Sequence, residues 1–266
     1  MTKTIFITGA SSGIGKATAK FFAEKGWKVI ATMRKPENET ELTVLENITL
    51  LPLDVTNINQ IKETVQKAIS LGNIDVVFNN AGYALLGPLE TTTDEQLVQL
   101  METNFFGTVR VTQAFIPYFK QKRAGTFITM TSSAGIMAFP FSSMYDASKW
   151  ALEGWSESLS FELEKFGIMM KNIEPGLVAT NGAERTVLTS HPDYDELLGK
   201  FLNVVNNPAQ ASSPEQIAEV VFEAVTDGNN KLRYICGEDA KSLYAQRLEG
   251  GDEKFRTGIK EMLFGA

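Results

Sequence analysis

The chain has 266 residues, of which 43% are hydrophobic, enough for the core of one large α/β domain. Its 25 basic and 32 acidic residues give a net charge of −7, which argues against binding nucleic acid through phosphate neutralisation. The single cysteine, Cys236, excludes an internal disulfide, and the sequence has neither a signal-peptide core nor an apolar run of about 18 residues. These features predict a soluble, cytoplasmic protein without membrane partners.

Six apolar segments are predicted to be strands, and four amphipathic segments between them are predicted to be helices. The predicted strands are Thr4–Thr8, Lys28–Thr32, Ile48–Leu53, Val76–Asn79, Thr126–Thr131 and Met169–Ile173. The predicted helices are Ile14–Lys25, Ile58–Ser70, Asp94–Lys120 and Met144–Phe166. Apolar strands that alternate with helices indicate a parallel sheet covered on both faces. The predicted fold is a single α/β domain over residues 1–266, a doubly wound parallel sheet of the Rossmann type.

Residues 181–213 interrupt the alternation and are predicted to form a helical lid over a substrate. An insertion of this length after a core strand is either a lid or a disordered loop. The lid is favoured because a short helical pattern presents one apolar face, made by Leu197, Leu198, Phe201, Leu202 and Val205. The charged tail from Lys241 indicates no chemistry, and a surface loop position is the simpler interpretation of His191, the single histidine.

The stretch T-I-F-I-T-G-A-S-S-G-I-G-K-A begins at Thr4. It contains the first predicted strand and the glycine-rich turn that follows this strand. A nucleoside-triphosphate loop requires G-x-x-x-x-G-K-[ST], but Ala10 stands at the first glycine and Ala17 at the hydroxyl residue. The actual spacing places glycines at 9, 13 and 15, so that backbone N–H groups and the start of a helix can contact a pyrophosphate. A tight strand-to-helix turn without a ligand is the alternative.

Four motifs occur together along the chain. They are T-G-x-x-x-G-x-G at Thr8–Gly15, N-N-A-G at Asn79–Gly82, Y-D-A-S-K at Tyr145–Lys149 and P-G-x-V-x-T at Pro175–Thr180. In this combination the sequence resembles the short-chain dehydrogenase/reductase family over nearly its whole length. It is similar to the NADP-preferring hydroxysteroid and retinol dehydrogenases and to carbonyl reductases. The resemblance implies an oxidoreductase that interconverts a carbonyl and an alcohol by hydride transfer, without a metal.

Tyr145 and Lys149 are four residues apart on a predicted helix, so their side chains lie on the same face. A free tyrosine has a pKa of about 10, and a nearby ammonium group lowers that pKa toward neutral pH. Such a tyrosine can give a proton to the alkoxide that hydride transfer creates. Alone, the pair fits an amphipathic helix with an exposed lysine; together with the other motifs, it is predicted to be catalytic.

The resemblance assigns two further catalytic residues, Ser132 and Asn104. Ser132 stands 13 residues before Tyr145, where the family places a serine that hydrogen-bonds the substrate oxygen. Ser133 is its rival, and a hydrogen bond within a turn is the alternative role of Ser133. Asn104 matches the family asparagine that holds a water between the lysine and solvent. From the sequence alone, an asparagine inside a helix is more often a buried group bonded to backbone.

The resemblance also implies a set of cofactor-binding residues, to which Tyr145 and Lys149 belong. The others are Gly9, Ser11, Ser12, Gly13, Ile14, Gly15, Arg34, Asp54, Val55, Asn80, Ala81, Gly82, Pro175, Gly176, Val178 and Thr180. Asp54 matches a residue that contacts the adenine, but it would equally serve as a cap for the helix that follows.

The turn after the second predicted strand favours NADP(H) over NAD(H). In family members that use NAD, an acidic residue in this turn binds the ribose diol. Here Met33 occupies that position, followed by Arg34 and Lys35. No carboxylate in the turn would repel a 2′-phosphate, and a guanidinium group is placed to hold it. A solvated surface charge is the alternative interpretation of Arg34.

An apolar substrate is predicted from the segment between the serine and the tyrosine. The predicted substrate-lining residues are Tyr83, Met137, Phe139, Phe141 and Met144. Apolar walls with few polar groups suit a ketone, an aldehyde or a secondary alcohol. The competing hypothesis is a catalytically silent NADP-binding sensor or scaffold on the same fold. The predicted helices Asp94–Lys120 and Met144–Phe166 are apolar on several sides, which favours a homodimer or homotetramer.

Overall fold

The strands of the protein form two parallel sheets in a computed structural model that describes residues 2–179, 186–207, 209 and 211–265. The strands are β1 (Thr4–Ile7), β2 (Lys28–Met33), β3 (Ile48–Pro52), β4 (Val76–Asn79), β5 (Ala84–Leu86), β6 (Gly125–Met130), β7 (Ile168–Pro175), β8 (Thr186–Leu188) and β9 (Arg233–Cys236). Seven of them form the main sheet in the order β3-β2-β1-β4-β6-β7-β9, while β5 pairs with β8. The chain order reverses between β1 and β4, the position at which such sheets open a crevice for a ligand.

Helices cover both faces of the main sheet. They are α1 (Gly13–Glu24), α2 (Ile58–Leu71), α3 (Asp94–Met101), α4 (Gly107–Lys122), α5 (Ser143–Glu164), α6 (Asp195–Val205), α7 (Pro214–Thr226) and α8 (Glu238–Phe264). On one face Phe22 of α1 and Val221 of α7 belong to one buried cluster. On the other, Phe6 of β1 and Phe115 of α4 belong to a second. The doubly wound α/β fold predicted from the sequence is confirmed.

The predicted helix Asp94–Lys120 is divided in the structure into α3 and α4. Between them, Glu102–Phe106 form a π-helical turn. Asn104 lies in this turn with 1% exposure, and its carbonyl accepts a hydrogen bond from the Thr108 hydroxyl at 3.1 Å. The wider turn brings an asparagine side chain inward without ending the helical path, which hydrophobic periodicity alone does not reveal.

The charged tail from Lys241, for which the sequence indicated no chemistry, forms most of α8. The helix is kinked at Gly251, where φ is 77°. After the kink, the apolar side chains that point inward are four residues apart: Phe255, Ile259 and Leu263. They belong to one cluster with Leu198 and Phe201 of α6. The tail therefore packs against the predicted lid.

The predicted lid is described in part. Residues 180–185, 208 and 210 lie outside the described residues, and with them Thr180, a predicted cofactor contact. The described part contains β8, which pairs with β5, and α6, whose Leu198 and Phe201 are buried. His191 precedes α6 on the surface, and its Nδ1 accepts the N–H of Asp193 at 3.3 Å. None of the described helices combines the length and the apolarity needed to cross a membrane.

Candidate active site

The glycine-rich turn is bound tightly to the end of β4. The Thr8 hydroxyl accepts the N–H groups of Asn80 and Ala81 at 2.9 and 3.0 Å. In return, the Asn80 amide donates to the carbonyls of Thr8 and Gly9 at 3.0 and 3.1 Å. A Cβ on Gly15 would lie 2.5 Å from the Gly9 carbonyl oxygen, so this approach requires glycine. The contacts hold the start of α1 against the strand that carries N-N-A-G.

A cavity of about 640 Å³ opens at this point and contains both the glycine-rich turn and the tyrosine–lysine pair on its wall. Thirteen of the predicted site residues line it: Ser12, Gly13, Ile14, Asn80, Gly82, Tyr83, Ser132, Phe139, Tyr145, Lys149, Pro175, Gly176 and Val178. Most of them follow the ends of β1, β4, β6 and β7, whereas Tyr145 and Lys149 lie on α5. The parallel sheet thus brings the four motifs to one edge.

Other predicted residues lie behind the cavity wall or away from it. They are Gly9, Ser11, Gly15, Arg34, Asp54, Val55, Ala81, Asn104, Met137, Phe141 and Met144. Gly9, Gly15 and Ala81 pack against one another as backbone support. Met137 has 0% exposure and belongs to the cluster with α6 and α8. It supports the wall from behind, because the turn that precedes α5 directs its side chain into this cluster.

Ser132 and Tyr145 are hydrogen-bonded to each other. Burial raises the pKa of the Tyr145 phenol above its usual value, the bond with Ser132 lowers it, and the neighbouring charge of Asp146 raises it. Ser132 Oγ also accepts the Ala134 N–H at 3.1 Å and lies 3.5 Å from the Pro175 carbonyl oxygen. Ser133 lines the same cavity, but its carbonyl is used by the turn, accepting the N–H groups of residues 136 and 137. The bond to the phenol distinguishes Ser132 from its rival.

Lys149 lies below the tyrosine with its side chain 5% exposed. Its Nζ donates to the Met130 carbonyl at 2.8 Å and lies 5.7 Å from the centroid of the Tyr145 ring. Burial lowers the pKa of Lys149 to about 8, and the Glu153 carboxylate acts in the opposite direction. The sequence led us to expect that the ammonium would lower the pKa of the phenol. In this structure burial instead raises the pKa of Tyr145, and the group that lowers it is Ser132.

Asn104 binds the backbone immediately after N-N-A-G. Its Oδ1 accepts the Tyr83 N–H at 3.0 Å, and its Nδ2 donates to the Tyr83 carbonyl at 3.0 Å and to Ser148 Oγ at 3.2 Å. A Cβ on Gly82 would lie 3.0 Å from Asn104 Oδ1 and 3.9 Å from Lys149 Nζ. Asn104 therefore fixes the backbone at Gly82 and Tyr83, which lies between the Asn104 side chain and Lys149.

Arg34 is exposed directly after β2, while Met33 is buried at 2% exposure. Farther along the same loop, Glu39 lies 3.0 Å from Lys16 of α1 and accepts the N–H of Leu42 at 3.1 Å. Burial raises the pKa of Glu39, but these bonds hold it below its usual value. The residues on either side of Arg34 are not acidic. A carboxylate, that of Glu39, is nevertheless present farther along the loop, and it is already paired with Lys16.

Asp54 does not cap α2. Its Oδ1 accepts the backbone N–H and the hydroxyl of Thr56 at 2.9 and 2.7 Å. The cap is Asn57, whose side chain accepts the N–H of Gln60 at 3.0 Å. The neighbouring Val55 is 6% exposed and packs against Gly107 at the start of α4. Both residues lie at the end of β3, beyond the cavity described above.

The sequence did not identify much of the apolar wall opposite the tyrosine. The added wall residues are Ala84, Leu86, Leu177, Leu188, Val204, Leu243, Met262 and Leu263. Phe201, Leu202 and Val205, which the sequence assigned to the apolar face of the lid, also line the cavity. Asp146, next to Tyr145 on α5, also lines the cavity and is 4% exposed; its Oδ2 accepts the Phe139 N–H at 2.8 Å. Burial raises the pKa of Asp146 to about 7. The four-residue spacing of apolar side chains in the tail was a signal that could have located α8.

Comparison with known proteins identifies the family of this chain. The family model described as short chain dehydrogenase matches residues 3–190. An uncharacterized oxidoreductase of Schizosaccharomyces pombe is 39% identical over 86% of this chain and 99% of its own length. Human 17-beta-hydroxysteroid dehydrogenase type 1 is 32% identical over 100% of this chain and 87% of its own, and bovine retinol dehydrogenase 8 is 31% identical over 87% and 80%. The chain belongs to the short-chain dehydrogenase family.

Solved structures of this family superpose on the whole fold. A short-chain dehydrogenase from Streptomyces avermitilis, 31% identical, has a TM-score of 0.89 and covers 97% of this chain and 96% of its own. ElxO with bound NADP, 25% identical, has a TM-score of 0.75 and covers 88% of this chain and 98% of its own. A family member from Burkholderia phymatum in complex with NAD, 21% identical, has a TM-score of 0.80 over 93% of each chain and shows the shared fold. The protein is thus an oxidoreductase of this family, similar to its hydroxysteroid and retinol dehydrogenase branch.

Proposed function

We propose that the protein is an NADP(H)-dependent oxidoreductase that interconverts an apolar ketone or aldehyde and the corresponding alcohol. The observation that carries the proposal is the hydrogen-bonded pair of Ser132 and Tyr145 beside Lys149, on the wall that also contains the glycine-rich turn. When bound, NADPH supplies the hydride. Ser132 donates to the carbonyl oxygen as negative charge develops there, and the Tyr145 hydroxyl gives its proton to the resulting alkoxide.

The residues present fit a dinucleotide. Ser12, Gly13 and Ile14 open the first turn of α1 onto the cavity, and that turn contains no acidic residue. The first N–H groups of a helix have no partner within it, so they bind phosphate readily. Gly176 and Val178 lie across the cavity and would contact the nicotinamide end. Lys149, with Nζ close to Gly82, is placed to hold the ribose between these two ends.

We propose NADP(H) as the preferred cofactor because a cation, not an acid, follows β2. Exposed Arg34 is free to turn toward a 2′-phosphate, whereas buried Met33 offers no acceptor for a ribose hydroxyl. The solved relative ElxO contains NADP, which supports this preference. The carboxylates of Glu39 and Glu41 are paired with Lys16 and so oppose a phosphate less than free acids would.

An apolar substrate is proposed from the wall opposite the tyrosine. Leu86, Phe139, Leu188, Phe201 and Leu263 line that side of the cavity. A cavity of about 640 Å³ with this lining suits a bulky carbonyl compound that has few polar groups. The named relatives, a hydroxysteroid dehydrogenase and a retinol dehydrogenase, are consistent with such a substrate.

The test is Tyr145→Phe, assayed with NADPH and separately with NADH against a panel of apolar ketones and aldehydes. Loss of the proton donor should lower kcat by about 10²- to 10⁴-fold, whereas the Kd for NADPH should change by less than about threefold. Turnover that survives the substitution would refute this role of the tyrosine. A wild type that binds NADPH tightly and reduces no member of the panel would favour the sensor or scaffold hypothesis.

We also propose that the protein is a homodimer or homotetramer in the cytoplasm. Phe161 and Trp150 of α5 are 73% and 43% exposed, an apolar surface that a second copy could cover. Phe115, in the other predicted helix that is apolar on several sides, is instead fully buried in the core. The free and buried thiol of Cys236 is compatible with a reducing compartment. Light scattering of wild type and Phe161→Ser would test the assembly: a mass of one chain in the wild type would refute it.

A further inference from the structure

A buried charge cluster lies beneath the candidate active site, formed by Glu153, Glu174, Arg233 and Asn172. The two carboxyl side chains come from α5 and β7 and are 4% and 0% exposed. Arg233 Nε lies 3.0 Å from Glu153 Oε2 and 3.6 Å from Glu174 Oε1. Asn172 Nδ2 donates to the same Glu153 oxygen at 2.8 Å. Two buried carboxyl groups therefore share one partly exposed guanidinium group.

The cluster lacks hydrogen-bond donors if both carboxyl groups are ionised. Glu153 Oε1 and both oxygens of Glu174 are buried and find no donor among the residues that the structure describes. Adjacent buried carboxylates repel, and a proton on one of them supplies the missing donor. Burial and then the charge of Glu153 raise the pKa of Glu174 to about 9. The proton therefore belongs on Glu174 at neutral pH, and the negative charge belongs on Glu153.

The charges around this pair leave Glu153 facing Lys149. From α5, the half-exposed Glu157 is paired with Arg233, with Nη2 of the guanidinium 2.6 Å from the Glu157 carboxylate. Three further titratable groups come from β9 and the residues before it: Arg233, Cys236 and the exposed Lys231. The charge of Lys231 lowers the pKa of Glu174. Burial raises the pKa of the Cys236 thiol to about 12, so it is neutral. Glu153 and Glu157 thus carry two negative charges against the one positive charge of Arg233.

The cluster contacts both halves of the active site. Glu153 follows Lys149 by one turn of α5. A Cβ on Gly135 would lie 3.1 Å from both Glu153 Cγ and the Lys149 carbonyl oxygen, so the turn after Ser132 packs directly on this part of the helix. Glu174 precedes Pro175, whose carbonyl lies 3.5 Å from Ser132 Oγ. Of the groups around Lys149, Glu153 is the one whose charge opposes the effect of burial on the ammonium.

We propose that Glu153 is a positioning residue that keeps Lys149 in its ammonium form, while Arg233 and a protonated Glu174 confine the negative charge to Glu153. The inference rests on the proposed role of Lys149 in the reaction. A lysine that loses its charge near neutral pH would hold a ribose and favour the phenolate less well. The carboxyl pair would thereby extend the working range of the site to higher pH.

The test measures the titration of Lys149 without turnover, by competitive acetylation with acetic anhydride at pH 6 to 11 and mass spectrometry of each lysine peptide. The double variant Glu153→Gln/Glu174→Gln removes the negative charge of the carboxyl pair, whichever group holds the proton, and keeps the side-chain volumes. Its midpoint for Lys149 should fall by about one pH unit. Glu174→Gln alone replaces a neutral acid by a neutral amide and should leave the midpoint unchanged. Glu157→Gln removes a half-exposed partner of Arg233 whose charge is screened by solvent, and it should shift the midpoint much less than the double variant does.

An unchanged midpoint in the double variant would overturn the inference. A shift in Glu174→Gln as large as in the double variant would also overturn it, because the charge would then lie on Glu174. Thermal melting identifies variants that fail to fold. If the double variant fails to fold, Glu153→Gln alone becomes the test. The titration midpoint of Lys149 must then fall in this variant, or the inference is wrong. If the expected shift is found but wild type reduces no ketone, the failure lies in the proposed function and not in this charge arrangement.

Discussion

The cofactor side and the substrate side of the cavity are built in different ways. On the cofactor side, backbone turns follow directly after β1, β4 and β7, and glycines permit approaches that any Cβ would block. On the substrate side, side chains from β5, α6 and α8 meet across long sequence separations. Arg247 of α8, for example, donates to the Ile136 carbonyl at 3.0 Å across 111 residues. The first side depends on a few local backbone positions, and the second depends on tertiary packing.

The largest effect is expected from Gly15→Ala on the cofactor side. A Cβ at this position would lie 2.5 Å from the Gly9 carbonyl oxygen and from Asn80 Nδ2, so the turn and the start of α1 must separate. The Kd for NADPH, measured by fluorescence titration, should rise at least about 100-fold, because all the N–H groups that would bind the pyrophosphate are displaced at once.

Gly258→Ala is the matched control for this change. Gly258 is an exposed residue of α8, and an added Cβ meets nothing within 4 Å. Alanine favours a helix over glycine by about 1 kcal/mol, so this variant should melt at the same or a slightly higher temperature and bind NADPH as the wild type does. Equal NADPH affinity in the two variants would contradict the view that the cofactor side depends on backbone approach.

A smaller effect is expected from Arg34→Ser, which removes the cation after β2. The ratio of kcat/KM with NADPH to kcat/KM with NADH should fall by about tenfold, or ~1.4 kcal/mol, since one charge-assisted contact to a phosphate is lost. Lys35→Ser, one residue farther along, is the control and should change the ratio less. If the ratio stays at its wild-type value in Arg34→Ser, the interpretation of this turn is wrong.

The difference between the two sides also explains what the sequence could predict. Gly13, Asn80 and Tyr145 belong to short motifs whose spacing is recognisable in the sequence, and the structure brings them to one cavity. Met137 illustrates the limit: the sequence indicates an apolar residue near the substrate, but not on which side of the wall its side chain packs. Predicting α8 as a wall of the cavity would require knowing its kink at Gly251 and its contact with α6, which depend on the complete fold.

A third test addresses the substrate side through Leu263→Ala in α8. Leu263 is 5% exposed and lines the cavity, so its truncation enlarges the space that a bulky apolar ketone fills. The KM for such a ketone should rise about fivefold, while the Kd for NADPH stays the same, because the cofactor side does not use this side chain. Leu248→Ala in the same helix, where the side chain is 69% exposed, should change neither constant. A rise in the Kd for NADPH would show that the two sides are coupled.

The last test concerns stability rather than binding or turnover, through Asp146→Asn at the boundary between the two sides. Burial raises the pKa of this carboxyl group from 3.8 to about 7 in the folded protein. Between these values the folded state holds the proton more tightly than the unfolded chain, so the unfolding free energy falls as the pH rises through this window. The asparagine variant lacks this loss, and from pH 4 to pH 8 it should gain roughly 4 kcal/mol relative to wild type in urea unfolding. The exposed Asp195→Asn serves as the control and should gain nothing. Parallel curves for wild type and Asp146→Asn would mean that the carboxylate is solvated, and the substrate side would then be wetter than its apolar lining implies.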